Sequence, residues 1–302
     1  MKPFFSIIIP AYNREKLILA TIQSVIDQTF ADWECIVVDD GSTDGTREVV
    51  QGLLEEDSRI RYVYQKNAER SAARNNGIDH ARGQYICFLD SDDFYLNSHL
   101  QQLWTKINSN ETSLIITDYI ESNNGQDKLI TSKSMHEFES ILQYVFLSGI
   151  IPARVCGNST IFKKYKFDED ITIVEDSILW ARIVQEFPIL ELKQATVKYS
   201  IHDSNSVNLN SKNAIKKLNG LRILKSRYMI IWKQLSLYDR LKLISDAKFK
   251  IAQSYFFENN RAKGIFWTLS SLLTLVYDYN SRHRIYTLVA ALFFMKNEYQ
   301  QK

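Results

Sequence analysis

The run Tyr85-Ile86-Cys87-Phe88-Leu89-Asp90-Ser91-Asp92-Asp93 decides the fold. Its apolar residues can be buried as a strand, but its end cannot, because it stops in three carboxylates. Open α/β sheets bind their ligands beyond the carboxyl ends of buried parallel strands, which is where such a cluster belongs. Carboxylates this close repel one another and raise each other's pKa unless a cation joins them. Hard oxygen ligands suit Mg2+ or Mn2+, metals that share their coordination shell with substrate phosphates.

On both sides of this run, the first 120 residues alternate strand-like and helix-like patterns with short polar joints. That alternation predicts an α/β fold of βαβ units, a Rossmann-like, mostly parallel sheet with helices on both faces. Strands are expected at residues 4–9, 34–38, 60–64, 85–89 and 114–117, and helices at about 16–28, 46–55, 70–81 and 98–107. Ala11-Tyr12-Asn13, Asp39-Asp40-Gly41-Ser42, Asn67 and the Asp90 cluster each follow a strand. Right-handed crossovers carry those strand ends to one edge of the sheet, so four polar clusters converge on one composite site.

Residues 121–135 read as a polar loop or hairpin, followed by a helix near 137–147, irregular or strand segments at 153–162, a helix near 176–185 and a strand near 191–199. From about residue 212 the pattern becomes nearly continuous helix without proline, which places a boundary near 208–213.

The composition, 45% hydrophobic and 24% charged, is that of a globular chain rather than a disordered one. Cys35, Cys87 and Cys156 lie far apart, which points to buried thiols in a reducing compartment and not to a disulfide framework. The N-terminus has one basic residue and a short apolar run without a small-residue cleavage site, so it reads as a first strand, with a cytoplasmic location as the default.

The net charge of +2 hides an asymmetry: residues 211–302 carry 17 Lys and Arg against 5 Asp and Glu, which leaves 20 against 30 in residues 1–210. A basic, aromatic-rich helical tail suits anionic lipid or the chain's own acidic front half. Nucleic acid is excluded as a partner because no recognised nucleic-acid motif occurs. The apolar runs 264–276 and 285–295 fall short of the roughly 20 residues a membrane span needs. They are expected to form a helical hairpin that packs on the first domain, on another copy in a homo-oligomer, or on the inner face of the plasma membrane as a peripheral contact.

Asp40, Ser42, Asp44 and Gly45 match the opening of a calcium-binding helix-loop-helix loop, but the match fails at its twelfth position, Gln51, and residues 34–38 form a strand pattern where a helix is required. A strand, a Gly- and Ser-containing turn and a helix are instead a nucleotide-site arrangement, with backbone N–H groups facing an anion.

Five ordered motifs then acquire a common meaning: Ser6 to Asn13, Gln28-Thr29-Phe30, Val37 to Thr46, Ala73-Arg74-Asn75-Asn76-Gly77, and Ala81 to Tyr85 leading into Leu89 to Asp93. Together they resemble the inverting nucleotide-sugar glycosyltransferases of family 2, which have the GT-A fold, and the resemblance covers about the first 210 residues. It implies a catalytic domain over 1–210, with a nucleotide-sugar-binding half at 1–120 and an acceptor-binding half at 121–210, and a basic helical region at 211–302. In that family's pattern Pro10, Ala11, Tyr12 and Asn13 form the wall beside the base and Asp40 accepts from a base N–H. Arg74 stands near the base and its carboxylate partner, Asp90 and its neighbour Ser91 face the ribose, and Asp92 holds Mn2+ or Mg2+ against the diphosphate.

Glu175-Asp176 resembles the family's acidic pair at a helix start, with Asp176 as the general base toward the acceptor hydroxyl. The helix N-terminus is expected to favour its ionised form. His202 is implied beside the metal or phosphates, with Ser206 nearby. Two positions depart from the pattern: Ser200 stands where an arginine is usual, and Ala68-Glu69 where a glycine pair is usual.

The resemblance implies a metal-dependent inverting glycosyltransferase whose donor is a nucleotide sugar, expected to be a UDP-sugar, and whose acceptor is a glycan or glycolipid for surface polysaccharide. The alternative is a non-catalytic nucleotide-sugar-binding or assembly protein on the same fold.

Overall fold

The structure, a computed structural model, describes residues 2–107, 112–123, 125–201, 210–274 and 285. The chain divides into two compact units, Met1–Asp170 with Glu175–His202, and Ile171–Val174 with Asp203–Lys302.

The first unit begins with β1 (Phe5–Ala11), α1 (Ile18–Ile26), β2 (Trp33–Asp39), α2 (Thr46–Glu56), β3 (Ile60–Tyr64), α3 (Glu69–His80) and β4 (Tyr85–Phe88). These four strands are parallel in the order β3-β2-β1-β4, and β1, β2 and β4 are buried along nearly their whole length. That burial is what apolar runs without alternation predict for a sheet covered on both faces. After β4 come a short strand, β5 (Phe94–Tyr95), α4 (His99–Lys106), β6 (Leu114–Asn123) and β7 (Gln126–Ile130). The unit closes with α5 (Ile141–Leu147), β8 (Val155–Asn158), α6 (Ser159–Lys164), α7 (Glu175–Ile183) and β9 (Ile189–Ile201). Here the sheet becomes mixed: β8 lies antiparallel between β4 and β6, while β9 runs parallel to β6 and antiparallel to β5.

Several boundaries differ from expectation for local reasons. Asn158 accepts from the Thr160 N–H at 3.0 Å, so residues expected as strand or irregular chain turn into α6. The helix expected at 137–147 starts at Ile141, because Ser140 caps it by accepting from the Gln143 N–H. The polar stretch after residue 121 is a hairpin of β6 and β7, with Gly125 at φ +79° in its turn.

Three of the motifs also hold the frame together. A Cβ on Gly77 would lie 2.4 Å from Ile8, and one on Gly83 would lie 2.6 Å from the Ser6 nitrogen, so both glycines permit close approach to β1. Gln28 accepts from the Leu100 N–H and donates to the Leu96 carbonyl, tying the end of α1 to the chain that follows the acidic cluster.

The second unit holds α8 (Ser211–Arg227), α9 (Met229–Gln234), α10 (Leu237–Phe257) and α11 (Arg261–Thr274). Asn210 and Ser236 cap α8 and α10. Asn259, at φ +60°, turns the chain between α10 and α11, which run antiparallel: Phe256 packs on Gly264 at one end and the Ser245 hydroxyl donates to the Ser271 carbonyl further along. Among the described residues no helix is long and apolar enough to cross a membrane.

Candidate active site

At the carboxyl ends of β1 and β2 the chain is fastened by a ladder of hydrogen bonds. The Asn13 N–H donates to Ser42 Oγ at 2.9 Å, and Asn13 Oδ1 accepts from the Thr43 N–H at 2.8 Å. The Arg14 N–H donates to Thr46 Oγ1 at 2.8 Å, and the Glu15 N–H to Asp44 Oδ2 at 3.1 Å. Asn13 holds φ +53°, a left-handed conformation that asparagine tolerates better than most residues. Asp44 also accepts from Thr46 at the start of α2, so its oxygens serve the turn and not a calcium ion. Pro10 and Ala11 end β1, the Ala11 carbonyl accepts from the Asp40 N–H at 2.8 Å, and the Tyr12 ring stands 47% exposed beside the ladder.

Asp39 and Asp40 are both buried and have different partners. Asp39 accepts from the Ser42 N–H at 2.8 Å and from the Tyr62 hydroxyl at 2.5 Å. Asp40 Oδ1 accepts from Gln65 Nε2 at 2.7 Å and from the Ala68 N–H at 2.8 Å, and the carboxylate is also bonded by the Glu69 N–H. Burial raises the Asp40 pKa and these three donors oppose the rise. Glu69 itself takes φ +70°, the conformation that favours glycine, at a position where the sequence departs from the family's glycine pair.

Each residue of the α3 motif has a distinct task. Asn75 pairs with the Phe167 backbone in both directions, at 3.0 and 2.9 Å, and anchors the segment that precedes the acidic pair. Asn76 donates to Gln65 at 2.7 Å, which in turn donates to Asp40. Arg74 is 1% exposed, lies over the Phe167 ring, and divides its guanidinium between Asp90 Oδ1 at 2.7 Å and Glu175 Oε1 at 3.1 Å. Burial opposes its charge, yet Asp90 and Glu175 more than restore it and its pKa is raised.

Around this arginine the carboxylates separate electrostatically. Burial raises the Asp90 pKa, but Arg74, Arg70 and Arg14 reverse the effect, and the net shift is downward. Glu175 is pushed up to about 7 by burial and by Asp176, against Arg74. Asp176 is also raised, by burial first and by Asp90 in part, although the Ser177 N–H donates to its Oδ1 at 2.6 Å. The helix start does favour the ionised form through the Ser177 N–H, but desolvation outweighs it and the net shift is upward. α7 begins at Glu175, so Asp176 lies in its first turn. The preceding Val174 takes φ +68°, a strained conformation for a β-branched residue.

The three acids of the opening run face three different partners. Asp90 pairs with Arg74, Asp92 Oδ2 lies 3.6 Å from Arg14, and the fully buried Asp93 accepts from the Ser200 N–H at 2.9 Å. Burial, then Asp90 and Asp92, push the Asp93 pKa well up. The buried Ser91 lies inside this turn, which closes through a bond from the Asp93 N–H to the Asp90 carbonyl.

Among the described residues no three His, Cys, Asp or Glu side chains gather into a metal site. Asp92, partly buried and 3.6 Å from Arg14, offers a single hard-oxygen carboxylate, which fits a Mg2+ or Mn2+ that takes most of its shell from phosphates and water. His202 and Ser206 lie outside the described residues.

With this arrangement in place, the chain matches the family model described as "Glycosyl transferase family 2" over residues 6–167. The chain belongs to glycosyl transferase family 2. It is 32% identical over 223 residues to the GalNAc(5)-diNAcBac-PP-undecaprenol beta-1,3-glucosyltransferase of Campylobacter jejuni, covering 71% of this chain and 70% of that protein. It is 31% identical over 265 residues to an uncharacterized glycosyltransferase of Rickettsia felis, covering 84% of this chain but only 44% of that longer protein. Among solved structures it resembles S. aureus TarS 1-349 in complex with UDP-GlcNAc, with a TM-score of 0.60 and 18% identity over 91% of this chain and 93% of that one. A mannosyltransferase of Pyrobaculum calidifontis in complex with GDP-Man and Mn2+ gives a TM-score of 0.56 and 16% identity, covering 98% and 82%. The fold is therefore GT-A-like with a helical C-terminal region.

Within the family frame, the structure links Arg74, Asp90, Glu175 and Asp176 electrostatically and ties Asn13 to the turn after Asp40. Sequence reading missed Arg14, Arg70 and Gln65. Arg14 directly follows the Asn13 motif and Arg70 opens α3, so each carried a positional signal; Gln65 carried none.

Proposed function

We propose that this chain is a metal-dependent inverting glycosyltransferase that moves a sugar from a UDP-sugar to a hydroxyl of a lipid-linked glycan in surface polysaccharide biosynthesis. The observation that carries the reading is the cluster of charges at the start of α7. There Asp176, its pKa raised, stands beside Glu175 within the field of the Arg74–Asp90 pair. A carboxylate whose pKa is raised is a stronger proton acceptor than an ordinary aspartate.

In the reaction Asp176 takes the proton of the acceptor hydroxyl while its oxygen bonds to the anomeric carbon. The bond from that carbon to the diphosphate oxygen breaks, and its electron pair leaves with the nucleoside diphosphate. One displacement inverts the configuration and needs no covalent enzyme intermediate. Asp90 is assigned to the ribose and Arg74 holds it there. Tyr12, with Pro10, Ala11 and Asn13, forms the wall for the base. A carboxylate has about four acceptor sites; Asp40 uses three on Gln65, Ala68 and Glu69, which leaves one for a base N–H. Asp92, with His202, would hold the divalent cation, whose chemistry is to neutralise charge on the diphosphate leaving group. The lipid-linked acceptor is supported by the name of the Campylobacter relative, which specifies an undecaprenol-linked glycan.

The test is release of nucleoside diphosphate from a panel of UDP-, GDP- and TDP-sugars in the presence of Mn2+ and undecaprenyl-diphosphate glycans. Asp176→Asn should lower turnover about 10²- to 10⁴-fold while UDP affinity is retained. Unaltered turnover in that variant removes the mechanism, and no response to any nucleotide sugar removes the function.

A further inference from the structure

We infer that the helical unit docks on an anionic lipid surface through the outward face of α11, an inference that goes beyond the glycosyl-transfer reading and does not depend on it. This helix is turned the opposite way from a helix of a soluble core. It buries Gly264, Thr268 and Ser271, and turns Phe266, Leu269 and Leu273 outward at 63%, 44% and 83% exposure. A helix that covers a core normally buries its large apolar residues.

The inward face is settled by its own bonds. Ser245 donates to the Ser271 carbonyl, Thr268 Oγ1 donates to the Gly264 carbonyl, and the Phe256 ring fills the space a Cβ on Gly264 would need. The exposed side chains Ala262, Phe266, Leu269 and Leu273 recur at intervals of four, three and four, so they share one face of the helix.

A second exposed apolar group lies toward the same end of the hairpin. Because α10 and α11 are antiparallel, the end of α11 that carries Leu273 runs toward the start of α10, where Leu237 and Tyr238 are exposed. Met229 and Ile230, in the short helix just before, are exposed as well, Ile230 at 75%. Lys225, Arg227 and Lys233 stand among these residues on the surface.

Charge selects the occupant. Residues 210–274 hold 13 Lys and Arg against 3 Asp and Glu. The three acids are already engaged: Asp239 accepts from Ser236, Asp246 pairs with Lys242, and Glu258 accepts from the Ser211 N–H. A second copy packing this same face against it would bring the same positive charge and be repelled. An anionic leaflet complements it, and aromatic and leucine side chains flanked by Lys and Arg are what an interfacial helix sinks into the headgroup boundary.

The full chain, mixed with phosphatidylcholine vesicles with or without phosphatidylglycerol and floated on a density gradient, tests this directly. Binding should require phosphatidylglycerol and weaken as salt is raised. Phe266→Ser with Leu273→Ser should lower the partition coefficient about tenfold or more, with far-UV circular dichroism unchanged. Lys225→Glu with Lys233→Glu, which leaves the apolar face intact, should remove the preference for phosphatidylglycerol. Failure to float with anionic vesicles, or binding that survives both double variants, overturns the inference. A concentration-dependent dimer in sedimentation velocity that Phe266→Ser with Leu273→Ser abolishes would assign the face to a second copy instead. None of these readouts needs glycosyltransferase activity, so failure here and failure of the catalytic reading are separate results.

Discussion

The turn where residues 13–15 meet residues 42–46 and the floor around Arg74 lie in the same unit but are held by different forces. In the turn, backbone N–H groups donate to side-chain oxygens of Ser42, Asp44 and Thr46, and neighbouring rungs back each other up. At the floor one buried guanidinium balances two carboxylates, and a third, Asp176, lies within its field. A ladder of single hydrogen bonds loses about 1 kcal/mol per rung. A buried ion cluster has no such graded response, because removing one partner strands the others without solvent. The contrast teaches that the wall proposed for the base can vary step by step, whereas the floor that tunes the proposed base cannot.

Breaking the floor should give the largest effect. Arg74→Met leaves Asp90 and Glu175 without their cation and should destabilise the fold by about 3–5 kcal/mol in urea unfolding. A loss below about 1 kcal/mol would show that the cluster relaxes to water.

Proton linkage sharpens the comparison next. The Glu175 pKa is raised from 4.5 to about 7, so across that window the folded state holds a proton the unfolded chain has released. Its contribution to stability is therefore complete below pH 4.5 and is lost as pH rises toward 7, with a slope of at most about 1.4 kcal/mol per pH unit. Asp44 has the opposite sign: burial raises its pKa, but Thr46 and the Glu15 N–H lower it further, so its contribution is lost as pH falls below 3.8. Urea midpoints of the parent and of Glu175→Gln between pH 5 and 8, above the Asp44 window, should fall less steeply with pH in the variant; equal slopes would remove Glu175 as the source.

The smallest effect belongs to the nucleotide side. Glu69 at φ +70° occupies a glycine conformation, so Glu69→Gly should stabilise the fold by roughly 1 kcal/mol, seen as a higher urea midpoint. A lower midpoint would mean that the Glu69 side chain contributes more than its backbone strain costs.

Much of the floor was visible in sequence because its parts are separate motifs. Arg74 lies in one, Asp90 in a second, and Glu175-Asp176 in a third, about 100 residues beyond the first. Each type of residue suggested its chemistry, but not which carboxylate the arginine would take. Ion pairing through space decided that: Arg74 reaches Asp90 and Glu175, and Asp92 faces Arg14 instead. The net upward shift of Asp176 was hidden, since a helix start is legible in sequence and desolvation is not. The strand β8, inserted antiparallel between β4 and β6, was equally hidden, because its residues carry no mark of direction.

For the run Tyr85 to Asp93, the sequence alone determined that a buried strand would end in a polar site, because apolar periodicity and carboxylate spacing are local properties of the chain. Only the tertiary structure decided how its acids divide: Asp90 to Arg74, Asp92 to Arg14, and Asp93 into the interior against the Ser200 N–H. The physical reason is that a charge takes its role from whatever solvent, cation or N–H the fold brings against it, and those partners come from segments as much as 107 residues away.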